Sequence, residues 1–259
     1  MFSRDEQVEF NKKGVAEQKA DIEKAISAIE NNWKPSTYRE DVDLINGSKC
    51  QPDEKLDYLK RLAPYVRGED MLWCFSRKVM KIGRDHPEAQ PKMFECLKSF
   101  VDYPQSGSDL GAPLSDMYRD LRDYFRDTPN YAQNILDLIN AENSAKRFEK
   151  MNFNFLGRFR DLNVLLSDYP QFARPIYDTY KSILDIHKEQ RSQLEEFDGR
   201  GVGKKEMELL GRLIPIMEKD PNNGDVISDI KITYNNLKAK YGTPSLINVA
   251  ATRRDGYGS

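Results

Sequence analysis

The chain has 259 residues, 39% of them hydrophobic, which is enough for a sizeable core in one large domain or two small ones. Its formal net charge of -2 lacks the excess of lysine and arginine that a protein tracking nucleic-acid phosphates usually carries, so general nucleic-acid binding is disfavoured. No stretch approaches the roughly 20 apolar residues of a membrane span, and the first residues lack a signal-peptide pattern. Three widely spaced cysteines favour reduced thiols and a cytoplasmic location, or the host cytosol if the protein is a secreted bacterial effector.

The N-terminal region, residues 1–69, is expected to be a helical cap. Residues 4–31 predict a polar helix or helix pair, interrupted at Gly14, and residues 54–66 resume the helical pattern after loop-like segments. The apolar stripe of the first segment includes Ile22, Ile26 and Ile29, and a shorter apolar segment includes Val42, Leu44 and Ile45. The sequence repeat of the rest of the chain is weak or missing in this region.

A repeat becomes visible from about residue 70 when the chain is aligned on four prolines, Pro87, Pro129, Pro170 and Pro221, which lie 42, 41 and 51 residues apart. Apolar residues recur eight before, five before and six after each proline. These positions are Val79, Leu121, Leu162 and Leu213; Ile82, Tyr124, Leu165 and Ile216; Met93, Ile135, Ile176 and Ile227. The pattern predicts an all-α protein with four helical hairpins over residues 70–243 and a flexible tail over 244–259.

The turns of these hairpins have a predicted mechanism. Asp85, Asp127 and Asp168 each lie two residues before a proline, where we expect them to be N-caps of the second helices. In the fourth unit Asp220 directly precedes the proline, so the cap is shifted by one residue. The longer third interval is ascribed to residues 195–205, whose three glycines predict a flexible loop.

A period near 41 residues built from helix pairs is typical of the HEAT and armadillo size class. The third unit, "LNVLLSDYPQFARPIYDTYKSIL", resembles a HEAT repeat, because Asp168 at the turn is followed six residues later by Arg174. The other units keep the aspartate but not the arginine, so they are divergent. The resemblance covers about 170 residues and implies a right-handed α-solenoid that binds other macromolecules along stacked helices.

Two charged rows follow the same register. Eight residues after each proline the residue is acidic: Glu95, Asp137, Asp178 and Asp229. Ten residues before the first three prolines it is arginine, with a displaced fourth: Arg77, Arg119, Arg160 and Arg212. One interpretation is that the rows face each other as an ion-pair ladder within the array. The other is an acidic ridge for a basic partner, with the arginines on another face or compensating from behind.

We expect a non-catalytic protein-binding scaffold, adaptor or regulator whose partner is another protein with a basic contact face. The predicted partner-binding residues are Glu95, Asp137, Asp178, Asp229, Lys92, Lys98 and Lys181. Such an interaction weakens as salt is added.

Signals for catalysis or metal binding are faint in this sequence. The two histidines, His86 and His187, do not pair with the cysteines at metal-ligand spacing, and "GRGVGKK" lacks the glycine spacing of a phosphate loop. We therefore expect no enzyme activity, no cofactor and no metal. The alternative is a HEAT-like nucleic-acid-binding protein or DNA glycosylase, which requires a basic concave face.

Overall fold

The computed structural model describes residues 4–31, 38–66, 68–102, 111–144, 154–191 and 199–242. These residues form α-helices and short 3-10 turns, without a strand among them. The helices are α1 (Arg4–Lys12), α2 (Val15–Asn31), α3 (Tyr38–Gly47), α4 (Pro52–Leu62), α5 (Gly68–Asp85), α6 (Gln90–Asp102), α7 (Gly111–Phe125), α8 (Tyr131–Ser144), α9 (Phe155–Asp168), α10 (Ala173–Ile186), α11 (Gly199–Met217) and α12 (Gly224–Tyr241). Within the described ranges, none of the helices is long and apolar enough to cross a membrane. The all-α prediction is confirmed.

Each of the four prolines lies between two helices, as the repeat predicted. Pro87, Pro170 and Pro221 begin 3-10 turns, where the missing N–H of proline leaves no helical carbonyl without its donor. Pro129 lies in the turn between α7 and α8, next to Asn130, which has a left-handed φ of 60°. A proline therefore marks the turn between the two helices of every unit.

The predicted N-caps are wrong for the first three aspartates. Asp85 and Asp168 are the last residues of α5 and α9, and the residues that precede the 3-10 turns make no side-chain capping bond. Asp127 is 93% exposed in its turn. Asp220 alone directly precedes its proline, and it accepts a hydrogen bond from the Asn222 N–H at 3.0 Å. In the first and third units the cap position is the residue before the proline, so Asp85 and Asp168, one residue earlier, still belong to the preceding helix.

The helices contact one another in two series. The first-helix row consists of α3, α5, α7, α9 and α11, each in contact with the next. The second-helix row consists of α4, α6, α8 and α10 with the same kind of contacts, and side-chain bonds join α10 to α12. Helices α3 and α4 contact each other, and α3 also contacts α5 while α4 contacts α6. Both rows therefore begin earlier in the chain than the sequence periodicity indicated.

The core lies between the two rows and contains most of the predicted apolar positions. Nine of the twelve are buried, while Ile216 and Ile227 are half-buried. Tyr124 differs, since 58% of its surface is exposed at a register position that is buried in the first and third units. Phe155 and Phe159, which precede Leu162 on α9, are also buried.

Two chain segments test the remaining predictions. The break at Gly14 separates α1 from α2, so the helix-pair interpretation of residues 4–31 is confirmed. The flexible loop predicted for residues 195–205 is wrong from Gly199 onward, because α11 begins there. A side chain at Gly203 would overlap the ring of Tyr241, so this glycine allows α12 to approach α11 closely. The predicted tail, residues 244–259, lies outside the described residues.

Candidate functional site

The predicted partner-binding residues all lie on second helices of the hairpins and are exposed or half-exposed. Helix α6 carries Lys92, Glu95 and Lys98; α8 carries Asp137; α10 carries Asp178 and Lys181; α12 carries Asp229. Each of the four acidic residues lies eight residues after its proline, so they occupy similar positions along their second helices.

Ion pairs between consecutive second helices engage most of these residues. Lys92 lies 2.6 Å from Asp57, and Glu95 lies 3.6 Å from Lys60, which joins α4 to α6. The hydrogen bond from Lys92 to Asp57 raises the pKa of the lysine. Exposed pairs of this kind contribute little stability each.

A second set of ion pairs joins α10 to α12. Asp229 accepts hydrogen bonds from the Tyr177 hydroxyl at 2.9 Å and from Lys181 at 3.2 Å. These bonds, led by that from Tyr177, lower the pKa of the Asp229 carboxyl. Arg174 lies 3.1 Å from Asp178 on its own helix and 3.2 Å from Asp225 on α12.

In the middle of the second-helix row, two charged residues lack an ion-pair partner among the described residues. Asp137 accepts a hydrogen bond from the Gln133 amide at 2.8 Å, and within the described residues no cation lies within ion-pair distance of it. Lys98 likewise has no carboxylate within 4 Å in that part of the chain. Two charges of opposite sign thus remain available on adjacent second helices.

An acidic cleft of about 550 Å³ lies between α6 and α8 and includes these two residues. Its charged lining consists of Glu88, Glu95 and Asp137 against Lys98. The apolar part of its wall comes from Phe94 and Leu138 and from prolines at the two turns. The cleft can accommodate a side chain or short segment that presents positive charge next to apolar atoms.

The predicted pairing of the arginine row with the acidic row is wrong. Arg119 lies 2.8 Å from Asp116 and Arg160 lies 3.7 Å from Asp161, each on its own helix, while Arg212 donates to the Asn163 carbonyl at 3.2 Å. Arg77 lies over the Trp73 ring, with 3.9 Å from its guanidinium carbon to the ring centroid. First helices pack on first helices, so their arginines stay in the first-helix row.

Two grooves on the first-helix row are lined by three of these arginines, Arg77, Arg119 and Arg160. The basic groove, about 370 Å³ between α5 and α7, is lined by Arg77, Lys78, Lys81, Arg84, Asp120 and Tyr124, among others. The arginine groove, about 230 Å³ between α7 and α9, carries Arg119, Arg122 and Arg160 together with Asp116, Asp161 and Asp168. Sequence reasoning missed Lys81 and Arg84, although their spacing of four and seven from Arg77 marks one face of α5.

A buried ionic cluster lies beneath the arginine groove. The Arg158 guanidinium is fully buried and contacts Glu142 at 3.3 Å and Asp161 at 2.7 Å, while the Tyr118 hydroxyl donates to Glu142 at 3.0 Å. Burial raises the pKa of the Asp161 carboxyl, and the nearby Arg158 opposes that shift. A second cluster joins Glu206 to Tyr180 at 2.6 Å and to Arg191 at 2.7 Å. Removing one partner from such a buried pair leaves a buried charge without compensation, which destabilises the fold.

The residues considered for chemistry are dispersed. His86 is exposed in a turn, whereas His187 is buried against the Phe155 ring, with the ring centroids 6.1 Å apart. Cys50 and Cys96 are buried and Cys74 is half-buried, all as free thiols. Across the described ranges, no three or more His, Cys, Asp or Glu residues are grouped so that they can hold a metal ion.

Comparisons with protein-family models, with curated proteins and with solved structures give no match to this chain.

Proposed function

We propose that the chain is a right-handed α-solenoid of stacked HEAT-like hairpins with an N-terminal helical cap. The support for this is the two-row pattern, in which first helices contact first helices and second helices contact second helices in chain order. A period near 41 residues and a proline at every described hairpin turn from Pro87 onward agree with it. Solenoids of this kind present a long surface on each row.

The function we assign to this scaffold is protein binding without catalysis, as a cytoplasmic adaptor or regulator. The second-helix row is the binding surface, and its centre is the acidic cleft between α6 and α8. The partner presents a basic segment, so that its lysines or arginines meet Glu88, Glu95 and Asp137 while an acidic residue of the partner meets Lys98.

The observation that carries this proposal is the state of Asp137. The other three predicted acidic residues have a cationic neighbour within 4 Å, whereas Asp137 is held only by a neutral amide in the described structure. A carboxylate that already has an intramolecular cation gains little from a second one. Asp137 therefore offers the largest electrostatic gain to an incoming basic side chain.

The test is quantitative affinity capture from a nuclease-treated lysate, with wild-type protein and two double variants of equal net charge. Asp137→Lys with Asp178→Lys reverses charge on the second-helix row. Asp70→Lys with Asp123→Lys reverses two exposed aspartates on the first helices α5 and α7 and is the matched control.

We expect a set of proteins that wild type and the control retain, that the second-helix variant loses, and that a salt gradient elutes. Identical profiles from the two double variants would contradict the assignment of the second-helix row. Anisotropy titration with the purified partner then gives the ratio of its affinities for wild type and for the second-helix variant.

The alternative, a HEAT-like nucleic-acid-binding protein or DNA glycosylase, stays a prediction. It requires a basic face, and the groove with the most cationic lining, between α5 and α7, lies on the first-helix row.

A further inference from the structure

The grooves of the first-helix row and the acidic cleft differ in the charge of their lining residues. The basic and arginine grooves of the first-helix row are lined by seven cations and four carboxylates, whereas the acidic cleft is lined by three carboxylates and one lysine. The formal net charge of -2 thus conceals a basic groove and an acidic cleft in the same molecule. An argument from net charge against anionic ligands does not apply to the first-helix row.

The cations of the basic groove differ in how they are held. Lys78 lies 2.7 Å from Asp43, and Lys81 bonds Asp85, in exposed ion pairs that are weak and exchangeable. Arg77 has no carboxylate within 4 Å among the described residues and lies on the Trp73 ring instead. Its guanidinium edge is available for a bidentate anion such as phosphate.

An exposed aromatic ring stands beside these cations. Tyr124 of α7 has 58% of its surface exposed, and the guanidinium carbon of Arg84 lies 5.4 Å from its ring centroid. The equivalent positions Ile82 and Leu165 are buried core residues, so the core does not account for this tyrosine. A planar exposed ring next to an arginine is a surface on which an unpaired base can stack.

We propose that the first-helix row binds single-stranded nucleic acid, with one base stacked on Tyr124 and phosphates held by Arg77, Lys81 and Arg84. Each groove, at about 370 and 230 Å³, has the scale of a single nucleotide, and a duplex cannot enter either. The arginine groove, between α7 and α9, supplies three further arginines, each beside an aspartate, for phosphates beyond those that a free nucleotide carries. The site does not overlap the acidic cleft, so it is independent of the proposed protein binding.

The experiment is fluorescence anisotropy of the full chain with labelled oligouridylate and oligothymidylate of about twelve nucleotides. We expect binding that weakens between about 50 and about 200 mM salt, with a log–log slope of about -0.7 per phosphate contact. The comparison ligands are a duplex of the same length, uridine monophosphate and polyglutamate. Each should bind more weakly than the single strand.

Variants locate the site. Tyr124→Ser should lower affinity about fivefold or more, whereas Tyr124→Phe should keep it, because stacking needs the ring and not the hydroxyl. Arg77→Gln with Arg84→Gln should reduce the salt slope by about 1.4. Lys24→Gln, which removes one exposed charge from α2 outside all three grooves, should leave the oligonucleotide affinity unchanged. Unchanged thermal midpoints verify that each variant is folded.

Several results would overturn the proposal: no binding at low salt, equal binding of duplex or polyglutamate, a mononucleotide affinity equal to that of the oligomer, or full binding by Tyr124→Ser. If the affinity capture yields no protein partner while oligonucleotide binding is retained, the result counts against the proposed function alone.

Discussion

The Nε atom of Arg158 lies 3.3 Å from the Oε1 atom of Glu142, and the two side chains are 0% and 1% exposed. The guanidinium carbon of Arg158 also lies 4.2 Å from the centroid of the Tyr118 ring. One arginine of α9 thereby joins α7 and α8 at a point where all three helices would otherwise meet through apolar contacts. The cost of burying these charges is offset only while every partner is present.

We predict that Glu142→Gln lowers the free energy of unfolding by about 3–5 kcal/mol, because Arg158 then keeps a buried charge with fewer partners. Urea unfolding followed by circular dichroism measures the change. The control is Glu95→Gln, which breaks the exposed contact with Lys60 and should cost less than about 1 kcal/mol. Equal costs for the two variants would contradict the role assigned to the buried cluster.

The hairpin formed by α5 and α6 depends on a close approach at Gly83. A Cβ atom there would lie 2.3 Å from the sulfur of the buried Met93. We predict that Gly83→Ala destabilises the protein by about 1–3 kcal/mol through overpacking, despite the better helix propensity of alanine.

Gly201 is the matched control for that substitution, because a methyl group added there would have no atom within 4 Å. Gly201→Ala should stabilise the chain by about 0.5–1 kcal/mol. Thermal unfolding of both variants provides the comparison. A rise in both midpoints would show that packing at Gly83 is looser than the geometry indicates.

Burial of His187 lowers the pKa of its imidazole, while a backbone hydrogen bond at Asn143 opposes that shift. The depressed pKa favours the neutral ring in the folded state, so its contribution to stability is present above the ordinary pKa of about 6.5. That contribution is lost as pH falls through the lower folded pKa.

We therefore predict that wild type loses stability between about pH 6.5 and pH 5, and that His187→Leu loses less over the same interval. Urea midpoints at several pH values measure both slopes. His86→Leu, in an exposed turn, is the control and should keep the wild-type slope. Equal slopes for wild type and His187→Leu would assign the pH dependence to other groups.

The ion pair between Lys181 and Asp229 joins α10 to α12 at 3.2 Å with both side chains about half exposed. A double-mutant cycle with Lys181→Met and Asp229→Asn should give a coupling energy below about 1 kcal/mol, because water screens the pair. Raising the salt concentration to about 1 M should reduce the coupling further. A coupling of several kcal/mol would mean that the pair is effectively desolvated.

Much of the local structure follows from residues near one another in the sequence. Apolar spacing predicted the helices and burial at positions such as Leu121 and Ile176, and proline predicted where hairpins turn. The N-cap error at Asp85 and Asp168 is also local, since it comes from a shift of one residue relative to the proline. The glycines near residue 200 misled the prediction of a loop, because a glycine also allows close packing of α11 on α12.

What sequence periodicity could not determine is which helix lies beside which. Register alone placed Arg77 and Arg160 opposite the acidic row, as the hairpin geometry of an isolated unit allows. In the tertiary structure first helices pack on first helices, so the arginines line one row and Asp137 lies in a cleft on the other. Spacing along a helix is determined by the rise and turn of the backbone and can be read from the sequence, whereas contacts across helices depend on how complete buried surfaces fit together.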